Sequence, residues 1–250
     1  MRTETDMVRQ DEVWKGAALV DTFLDGVRGG IPFAAEQIDV MLRVVAACGA
    51  PVRRVADLGC GDGILTRALL AAYPAAAATL VDFSEPMLTA ARARLADRVP
   101  PPRFVAADLA HSVWVEAVAD RAPFDVVVSG YAIHHLPDAR KRTLYGEIGA
   151  LLAPGGMFVN IEHVASRSGW IEAISDAAMI DSLHAFHTTR GAGKSREQIA
   201  DEYVHRPDKA ANILAPVEAQ CDWLRALGFA DVDCFFKVFE LAVFGGRRPA

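Results

Sequence analysis

Five short apolar segments recur between residues 54 and 164, and none alternates strictly between apolar and polar positions. Continuous apolar runs of this length are typical of strands that are buried on both faces of a parallel sheet. Helical patterns lie between most of them, and strands alternating with helices predict an open α/β sheet of parallel β-α-β units. The predicted strands are 54–58, 78–83, 103–108, 124–131 and 157–164, and the predicted helices between them are 64–73, 84–97 and 138–153.

Local signals mark several helix ends. Ser84 is a predicted N-cap with Pro86 in the first turn, and the Pro-Gly-Gly of residues 154–156 predicts a stop and a turn. Ser195 and Gln198 fit a capping box. The predicted elements beyond residue 164 are helices at 168–190, 195–204 and 216–229 and a strand hairpin at 231–246.

The composition of the chain argues mainly against certain classes of protein and site. The chain has 26 Lys+Arg against 32 Asp+Glu, a net charge of -6, which argues against a general grip on nucleic acid. The four cysteines form no CxxC pair, so they indicate free thiols in a reducing compartment rather than a zinc knot. Residues 1–16 are polar and do not form a signal peptide, and no apolar run is long enough to span a membrane. We expect a soluble, cytoplasmic protein.

Residues 55–63, VADLGCGDG, place three glycines at alternate positions straight after a predicted strand. Glycines at this density are unfavourable inside a helix or strand, so the loop between the two must need bare backbone. In open α/β sheets, ligands bind at the carboxyl ends of strands, where a helix N-terminus favours polar or anionic groups. The loop is therefore a candidate ligand site, and a tight turn that binds nothing is the alternative.

Acidic residues stand at or near the ends of the first three predicted strands, at Asp57, Asp82 and Asp108. An acid at the second strand end can accept hydrogen bonds from both hydroxyls of a ribose, and Phe83 beside it offers an apolar face to a base. An acid at the third strand end can accept from an exocyclic amine such as adenine N6. Three acids in register are hard to explain as helix caps, and together they indicate an adenosine site.

NAD and S-adenosylmethionine both contain adenosine, so the spacing of the glycines has to distinguish a site for one from a site for the other. The dinucleotide fingerprint is GxGxxG, whereas this chain has Gly59-x-Gly61-x-Gly63 with Asp57 two residues ahead. Asp57 suits a positively charged ligand, such as the ammonium of a methionine, directly or through water. The pattern therefore favours S-adenosylmethionine.

Five stretches within residues 50–164 resemble, in order and spacing, the motifs of the class I S-adenosylmethionine-dependent methyltransferases. They are VADLGCGDG, LVDFSEPML, AADL, FDVVVSGYAIHHLPD and LLAPGGMFVNIEH. The resemblance implies a Rossmann-like α/β fold with a seven-stranded, mostly parallel sheet whose last two strands come from 231–245. It also implies S-adenosylmethionine as cofactor and S-adenosylhomocysteine as product. The implied cofactor-binding residues are Asp57, Gly59, Cys60, Gly61, Asp82, Phe83, Met87, Asp108, Leu109 and Ser129.

We interpret the chain as one methyltransferase domain over residues 1–250. Its predicted parts are a helical N-terminal lid (1–48), a cofactor-binding core (49–164), a helical insertion (165–215) and a final helix with a strand hairpin (216–250). Trp14, Phe23 and Phe33 are expected in a lid or core stripe over the cofactor.

A second resemblance covers residues 181–229 and 232–246, whose length and layout are similar to those of carboxy-S-adenosylmethionine synthases. Those enzymes turn prephenate and S-adenosylmethionine into a carboxylated cofactor for wobble-uridine modification in tRNA. This chain departs from them at Asp62 in the glycine loop. The arginine with which they grip the added carboxylate would fall at His205 or Arg206.

Histidines and basic residues supply the candidate chemistry around the acceptor. His134, directly after the fourth predicted strand, is a candidate general base, since an imidazole titrates near neutral pH; a structural role is the alternative. His184 and His187 share a predicted helix face, but no carboxylate or cysteine spacing supports a metal, and we predict none.

The candidate substrate pocket consists of Tyr131, His134, His187, Tyr203 and Arg206, and the candidate catalytic residues are His134 and Arg206. The further basic residues of the insertion, which are either a solvated face or a grip for an anion, are Arg190, Lys194, Arg196 and Lys209.

Three functions follow from these patterns. The first is methyl transfer to a small molecule, for which a carboxylate-bearing acceptor is one option. The second is a carboxy-S-adenosylmethionine synthase-like activity, with the carboxylated cofactor as product, and the third is a non-catalytic cofactor-binding module. The apolar tail and the insertion also predict a homodimer, with no membrane and no direct nucleic-acid partner.

Overall fold

A computed structural model describes residues 10–250, so the first nine residues, where the predicted lid begins, lie outside the described residues. The strands are β1 (Arg54–Leu58), β2 (Ala77–Asp82), β3 (Arg103–Ala106), β4 (Phe124–Gly130), β5 (Leu152–His163), β6 (Ala230–Val238) and β7 (Leu241–Arg247). Within the described chain they form one seven-stranded sheet in the order β3-β2-β1-β4-β5-β7-β6. The first five strands pair in parallel and β7 pairs antiparallel with both of its neighbours. The predicted sheet is confirmed.

Helices cover both faces of this sheet. They are α1 (Ala17–Gly26), α2 (Ala34–Ala47), α3 (Ile64–Ala72), α4 (Glu85–Arg94), α5 (Val113–Val118), α6 (Asp138–Leu151), α7 (Gly169–Thr189), α8 (Arg196–Val204) and α9 (Val217–Ala226). On one face α2, α3 and α4 bury Met41, Leu69 and Leu88 against the strands. On the other face α5, α6 and α9 bury Trp114 and Tyr145, among others. None of the helices within residues 10–250 has the length and apolar character that crossing a membrane requires.

The local signals are confirmed at two helix starts, and α6 stops at Leu151, before the Pro-Gly-Gly, but the turn predicted there is wrong. The Ser84 hydroxyl accepts from the Met87 N–H at the start of α4, and both bonds of the Ser195 capping box are present at α8. The predicted turn at residues 154–156 is instead part of β5, which begins at Leu152. This irregular stretch stays in the sheet because Gly155 and Gly156 exchange backbone hydrogen bonds with Arg248.

The insertion lies over the carboxyl ends of the strands. Helices α7 and α8 bury Ile180, Leu183 and Ile199 between them, with Val27 from the N-terminal helices packed alongside. The two segments approach closely, since a Cβ at Gly30 would lie 2.7 Å from the Leu183 side chain. The N-terminal helices and the insertion therefore enclose the edge of the sheet where β1, β2 and β4 end.

The order of strands reverses beside β1, because β2 follows it on one side and β4 on the other. Chain crossings leave the sheet in opposite directions at such a point, and the gap between them is where open α/β sheets hold their ligands. The glycine-rich loop leaves β1 at this gap. The fold therefore positions the sequence-predicted site at the topological switch point.

Candidate functional site

The loop of residues 59–63 is shaped by glycine. The N–H of Gly59 donates to the Val81 carbonyl over 2.8 Å, so the loop folds over the end of β2. Gly59, Gly61 and Gly63 have φ angles of 65°, 53° and 78°, in the left-handed region that side chains disfavour. A Cβ at Gly59 would also clash with the Cβ of Ala132. Both the conformation and the space at Gly59 require glycine.

A cavity of about 730 Å³ opens beside this loop, within the roughly 300–1,000 Å³ range that is common for small-molecule sites. Seven of the ten predicted cofactor-binding residues line it, and so do all five predicted substrate-pocket residues. The first group is Gly59, Gly61, Asp82, Phe83, Met87, Asp108 and Leu109, and the second is Tyr131, His134, His187, Tyr203 and Arg206. One continuous cavity therefore unites residues that are as much as 147 positions apart, from Gly59 to Arg206.

Asp82 is an acid of this wall that two backbone N–H groups hold in place. One of its carboxylate oxygens accepts from the Gly61 N–H and the other from the Ser84 N–H, each over 2.8 Å. Only 6% of the residue is exposed, and burial raises the pKa of its carboxyl to about 6, although the N–H donors oppose the rise. A carboxylate has about four acceptor positions, so Asp82 retains capacity to accept from hydroxyl groups in the cavity.

Three predicted cofactor residues lie away from the main cavity. Asp57 accepts from the backbone N–H and the hydroxyl of Thr66, at 3.1 and 2.7 Å, because the first turn of α3 needs acceptors. Asp57 and Cys60 line a small adjoining cavity of about 40 Å³. Ser129 lines neither cavity, because its hydroxyl donates to the Leu58 carbonyl over 2.7 Å between two strands. Asp62, the departure noted in the loop, pairs with Arg94 of α4.

His134 and Glu162 form a buried pair on the cavity wall. Nδ1 of His134 lies 2.5 Å from one carboxylate oxygen of Glu162, and the His134 backbone N–H donates to the other over 3.1 Å. Burial lowers the pKa of the imidazole well below its usual range, and the nearby charges of His163, Lys141 and Arg206 act in the same direction. Burial also raises the pKa of Glu162 to about 7.

Neighbouring groups brace this pair. His163, which also lines the cavity, has Nε2 3.0 Å from a carboxylate oxygen of Glu240. The ammonium of Lys141 is buried and donates to Asp138 over 2.8 Å and to the carbonyl of Ile213. Ile213 in turn donates its N–H to the His134 carbonyl over 2.8 Å.

Arg206 lines the same cavity as the glycine loop. Its guanidinium stacks 4.1 Å from the Tyr203 ring centre and donates to the Tyr203 carbonyl over 2.8 Å. Asp208, also on the cavity wall, is an ion-pair partner at 3.5 Å. The guanidinium is therefore fixed in orientation with one loosely held counter-charge.

The other basic residues of the insertion are mostly occupied. Arg196 pairs with Asp181 over 2.6 Å and Lys194 with Glu202 over 2.8 Å. Arg190 donates to the Asp25 carbonyl and stacks on Phe186. These contacts favour the solvated-face interpretation for Arg190 and Arg196, whereas Lys194 and Arg206 line the cavity.

The N-terminal segment covers the cavity through two of the three predicted aromatic residues. Trp14 and Phe23 line it, with their rings edge-on at 5.1 Å, and the Ser84 hydroxyl donates to the Trp14 carbonyl over 2.6 Å. The expectation for Phe33 is wrong. The residue is 46% exposed and its ring lies beside Phe236, because a left-handed backbone at φ 57° turns the chain into α2 there.

No group of three or more histidines, cysteines and acids within residues 10–250 is placed to hold a metal. His187 lines the cavity and His184 of the same helix does not. Sequence reasoning missed Glu162 and Glu240, although one signal was present: Glu162 is a charged residue inside a strand predicted to be buried.

Comparison with known proteins identifies the family. A family profile described as "Methyltransferase domain" matches residues 55–156. A trans-aconitate 2-methyltransferase of Rhodopseudomonas palustris is 31% identical over 194 residues, which are 70% of this chain and 68% of that protein. The chain belongs to the class I S-adenosylmethionine-dependent methyltransferases.

Other class I relatives differ in how much of their length they share. An uncharacterized methyltransferase of Mycobacterium tuberculosis is 35% identical over 127 residues, so the match spans 51% of this chain and 56% of that protein. A carboxy-S-adenosyl-L-methionine synthase of Shewanella amazonensis is 27% identical over 226 residues, 88% of this chain and 86% of that protein. The solved structure of an O-methyltransferase family protein from Burkholderia thailandensis has a TM-score of 0.62 at 17% identity, covering 97% of this chain and 63% of that one.

The lining of the cavity fits the cofactor of a class I methyltransferase. Gly59 and Gly61 line the cavity with backbone that carries no Cβ, which a ligand can approach closely. Asp82 is a buried acceptor that could take hydrogen bonds from ribose hydroxyls, and Phe83 and Met87 of the same wall could offer apolar surface to a base. Asp108 stands at the same wall, its carboxylate oriented by the Ala110 N–H at 2.9 Å. These are the donor and acceptor types that an adenosine with an aliphatic sulfonium arm needs.

Proposed function

We propose that this protein transfers the methyl group of S-adenosylmethionine to a small, carboxylate-bearing molecule. The observation that carries the proposal is the single cavity that extends from the glycine loop and Asp82 to Arg206. Bound S-adenosylmethionine supplies a methyl group on a positively charged sulfur, which a nucleophile attacks in line. The chain's own contribution is to hold two molecules in register and, through Trp14 and Phe23, to exclude water.

Arg206 is the residue that holds the acceptor's carboxylate in this proposal. Its planar guanidinium can bind a carboxylate bidentately, and stacking on Tyr203 restricts its orientation. Asp208 lies at ion-pair rather than hydrogen-bond distance from it, so an incoming carboxylate can take the stronger position. Tyr131 and His187 line the same cavity.

Methyl transfer from labelled S-adenosylmethionine to trans-aconitate and other small carboxylates tests this function. Arg206→Ala should lower kcat/KM by about 30- to 1,000-fold, because about 2–4 kcal/mol is typical when one partner of a buried charge pair is removed. Arg196→Ala, which removes an exposed arginine paired with Asp181, is the matched control. Equal activity of the two variants would contradict the role of Arg206.

A second candidate is a carboxy-S-adenosylmethionine synthase-like activity that serves tRNA wobble-uridine modification. It is supported by the similarity to the Shewanella amazonensis synthase over 88% of this chain and by the position of Arg206 on the cavity wall. Incubation with S-adenosylmethionine and prephenate should then yield the carboxylated cofactor, detected by its mass. The lined cavity favours either enzyme over a non-catalytic binding module.

We propose that the protein acts in the cytoplasm as a homodimer and binds neither membrane nor nucleic acid directly. Exposed aromatic side chains support self-association: Trp170 is 75% exposed, and Phe33 lies beside Phe236 of the edge strand β6. Light scattering at micromolar concentration should give twice the chain mass of 26.9 kDa. The monomer mass alone would contradict the dimer.

A further inference from the structure

Several hydrogen bonds fix the positions of Glu162 and of His134 on the cavity wall. Two hydrogen bonds join the two residues, one through the imidazole and one through the backbone N–H of His134. The Ile213 N–H fixes the His134 carbonyl, and Lys141 fixes Ile213. Glu162 is fully buried, whereas His134 is 7% exposed, on the cavity wall. The imidazole is therefore held in one orientation through Nδ1, and Nε2 is the ring nitrogen that Glu162 does not engage; the side chain of Asn212, on the same cavity wall, is a further hydrogen-bonding neighbour of the ring.

The proton on this imidazole belongs on Nδ1. Each Glu162 oxygen accepts a backbone N–H, one from His134 and one from His163. Those two donors favour the charged carboxylate, whereas burial raises its pKa to about 7. Above that pH Glu162 is a carboxylate, which accepts from Nδ1 only when Nδ1 carries the proton. Burial keeps the ring neutral by lowering the pKa of His134. A neutral imidazole with its proton on Nδ1 has a lone pair on Nε2.

We infer that the group methylated is a hydroxyl (an alcohol, phenol or enol) and that its proton passes to Nε2 of His134. As the acceptor oxygen forms its bond to the methyl carbon, the sulfur–carbon bond breaks and its electron pair stays on sulfur. The products are a methyl ether, S-adenosylhomocysteine and an imidazolium facing the Glu162 carboxylate. This inference rests on the proposed methyl transfer and names the substrate class of the same site.

Other acceptor groups fit this surrounding less well. A carboxylate is already ionised at neutral pH, so it needs no base, and His134 and Glu162 would then have no proton to accept. An amine would enter mostly as an ammonium, which has no lone pair with which to attack the methyl group. A carbon acid must lose its proton to a strong base, and this buried imidazole is a weak one. A hydroxyl loses its proton as the methyl arrives, so a weak base in fixed position suffices.

The chemical stability of the product tests the inference. The protein is incubated with methyl-labelled S-adenosylmethionine and either a protein-free small-molecule extract of bacterial cells or hydroxybenzoates paired with their methoxy forms. We expect label in products that survive alkali, as methyl ethers do. Label released by alkali, as from methyl esters, or label on nitrogen or carbon overturns this inference and leaves methyl transfer standing. No transfer to any compound overturns both.

Two variants test the role of the pair. His134→Gln should lower kcat by about 100-fold or more with cofactor affinity unchanged, and Glu162→Gln should lower kcat by a smaller factor. His184→Gln, on the same cavity-covering insertion but outside the cavity lining, should change neither. A His134→Gln variant that binds cofactor and keeps kcat within about threefold of the unaltered protein overturns the inference.

A spectroscopic readout needs no acceptor. In ¹⁵N-labelled protein above pH 7, with His134 assigned through its backbone, we expect a protonated Nδ1 and an unprotonated Nε2. Glu162→Gln should abolish this preference, because an amide offers Nδ1 no charged acceptor. A proton resident on Nε2 of the unaltered protein would exclude it as the base and overturn the inference.

Discussion

The N–H of Gly61 donates to the Asp82 carboxylate over 2.8 Å and joins the loop after β1 to the end of β2. The same carboxylate accepts from Ser84 at the start of α4, so one acid fixes the entrances to two helices. It also faces the cavity. The glycine loop and the proposed ribose acceptor are therefore one structural unit.

Asp82→Ala should weaken S-adenosylmethionine binding by about 1–3 kcal/mol, roughly 5- to 150-fold in Kd. The variant loses the hydrogen bonds to the ribose and also the anchor of Gly61. Isothermal calorimetry measures the change, and Asp97→Ala, which removes an exposed acid just after α4, is the control. Unchanged affinity in the Asp82 variant would remove Asp82 from the cofactor site.

Cofactor affinity should fall in acid because of Asp82. Burial raises the pKa of this carboxyl to about 6 in the free protein, whereas hydroxyl donors of a bound ribose favour its charged form. Binding is then coupled to proton release below that pH, and Kd should rise by up to about tenfold per pH unit as the pH falls from 6. Calorimetry at pH 5, 6 and 7.5 on the folded protein measures the slope. An equal slope in Asp82→Asn would assign it to another group.

Gly59→Ala and Gly155→Ala form a matched pair. Both glycines have positive φ, at 65° and 75°, so either alanine costs about 1–2 kcal/mol of stability. Only the Cβ at residue 59 meets a neighbour, Ala132, whereas the space around residue 155 is open. Thermal unfolding and cofactor binding should therefore separate the two: Gly155→Ala loses stability alone, and Gly59→Ala also loses affinity. Equal affinities would show that the loop tolerates a side chain.

Much of the fold follows from local patterns in the sequence. The strand and helix bounds near β1 to β4 are set by apolar runs and by caps such as Ser84, which act over a few residues. The start of β5 could not be predicted because Pro154 and the following glycines favour a turn locally. The backbone bonds to Arg248 that keep them in the sheet come from a segment about 90 residues away.

The candidate site divides in the same way. Asp82 and Asp108 were predictable from their register at strand ends, and the structure brings both to the cavity. Asp57 follows the same rule, but the first turn of α3 takes its carboxylate through Thr66. The pairing of His134 with Glu162 depends on the adjacency of β4 and β5, which no local pattern specifies. The sequence can therefore identify an acid at a strand end, but it does not show which cavity the carboxylate of that acid faces.

Lys141→Met should shift the pH dependence of kcat/KM. The buried ammonium lowers the pKa of both His134 and Glu162, so its removal raises both and moves the acidic limb of the profile to higher pH. Asp138, which loses its partner, is half exposed and stays solvated. Lys237→Met, an exposed lysine of β6, is the control. A uniform loss of activity without a shift would limit Lys141 to a packing role.

Native mass spectrometry of the purified protein, incubated with equal concentrations of S-adenosylmethionine and NAD, tests the central claim most directly. The cavity at the glycine loop should yield a 1:1 complex with S-adenosylmethionine, or with S-adenosylhomocysteine carried through purification, and the Asp82→Ala variant should lose it. A complex with NAD, or the absence of any nucleotide complex with the unaltered protein, would contradict the assignment of this cavity to the cofactor.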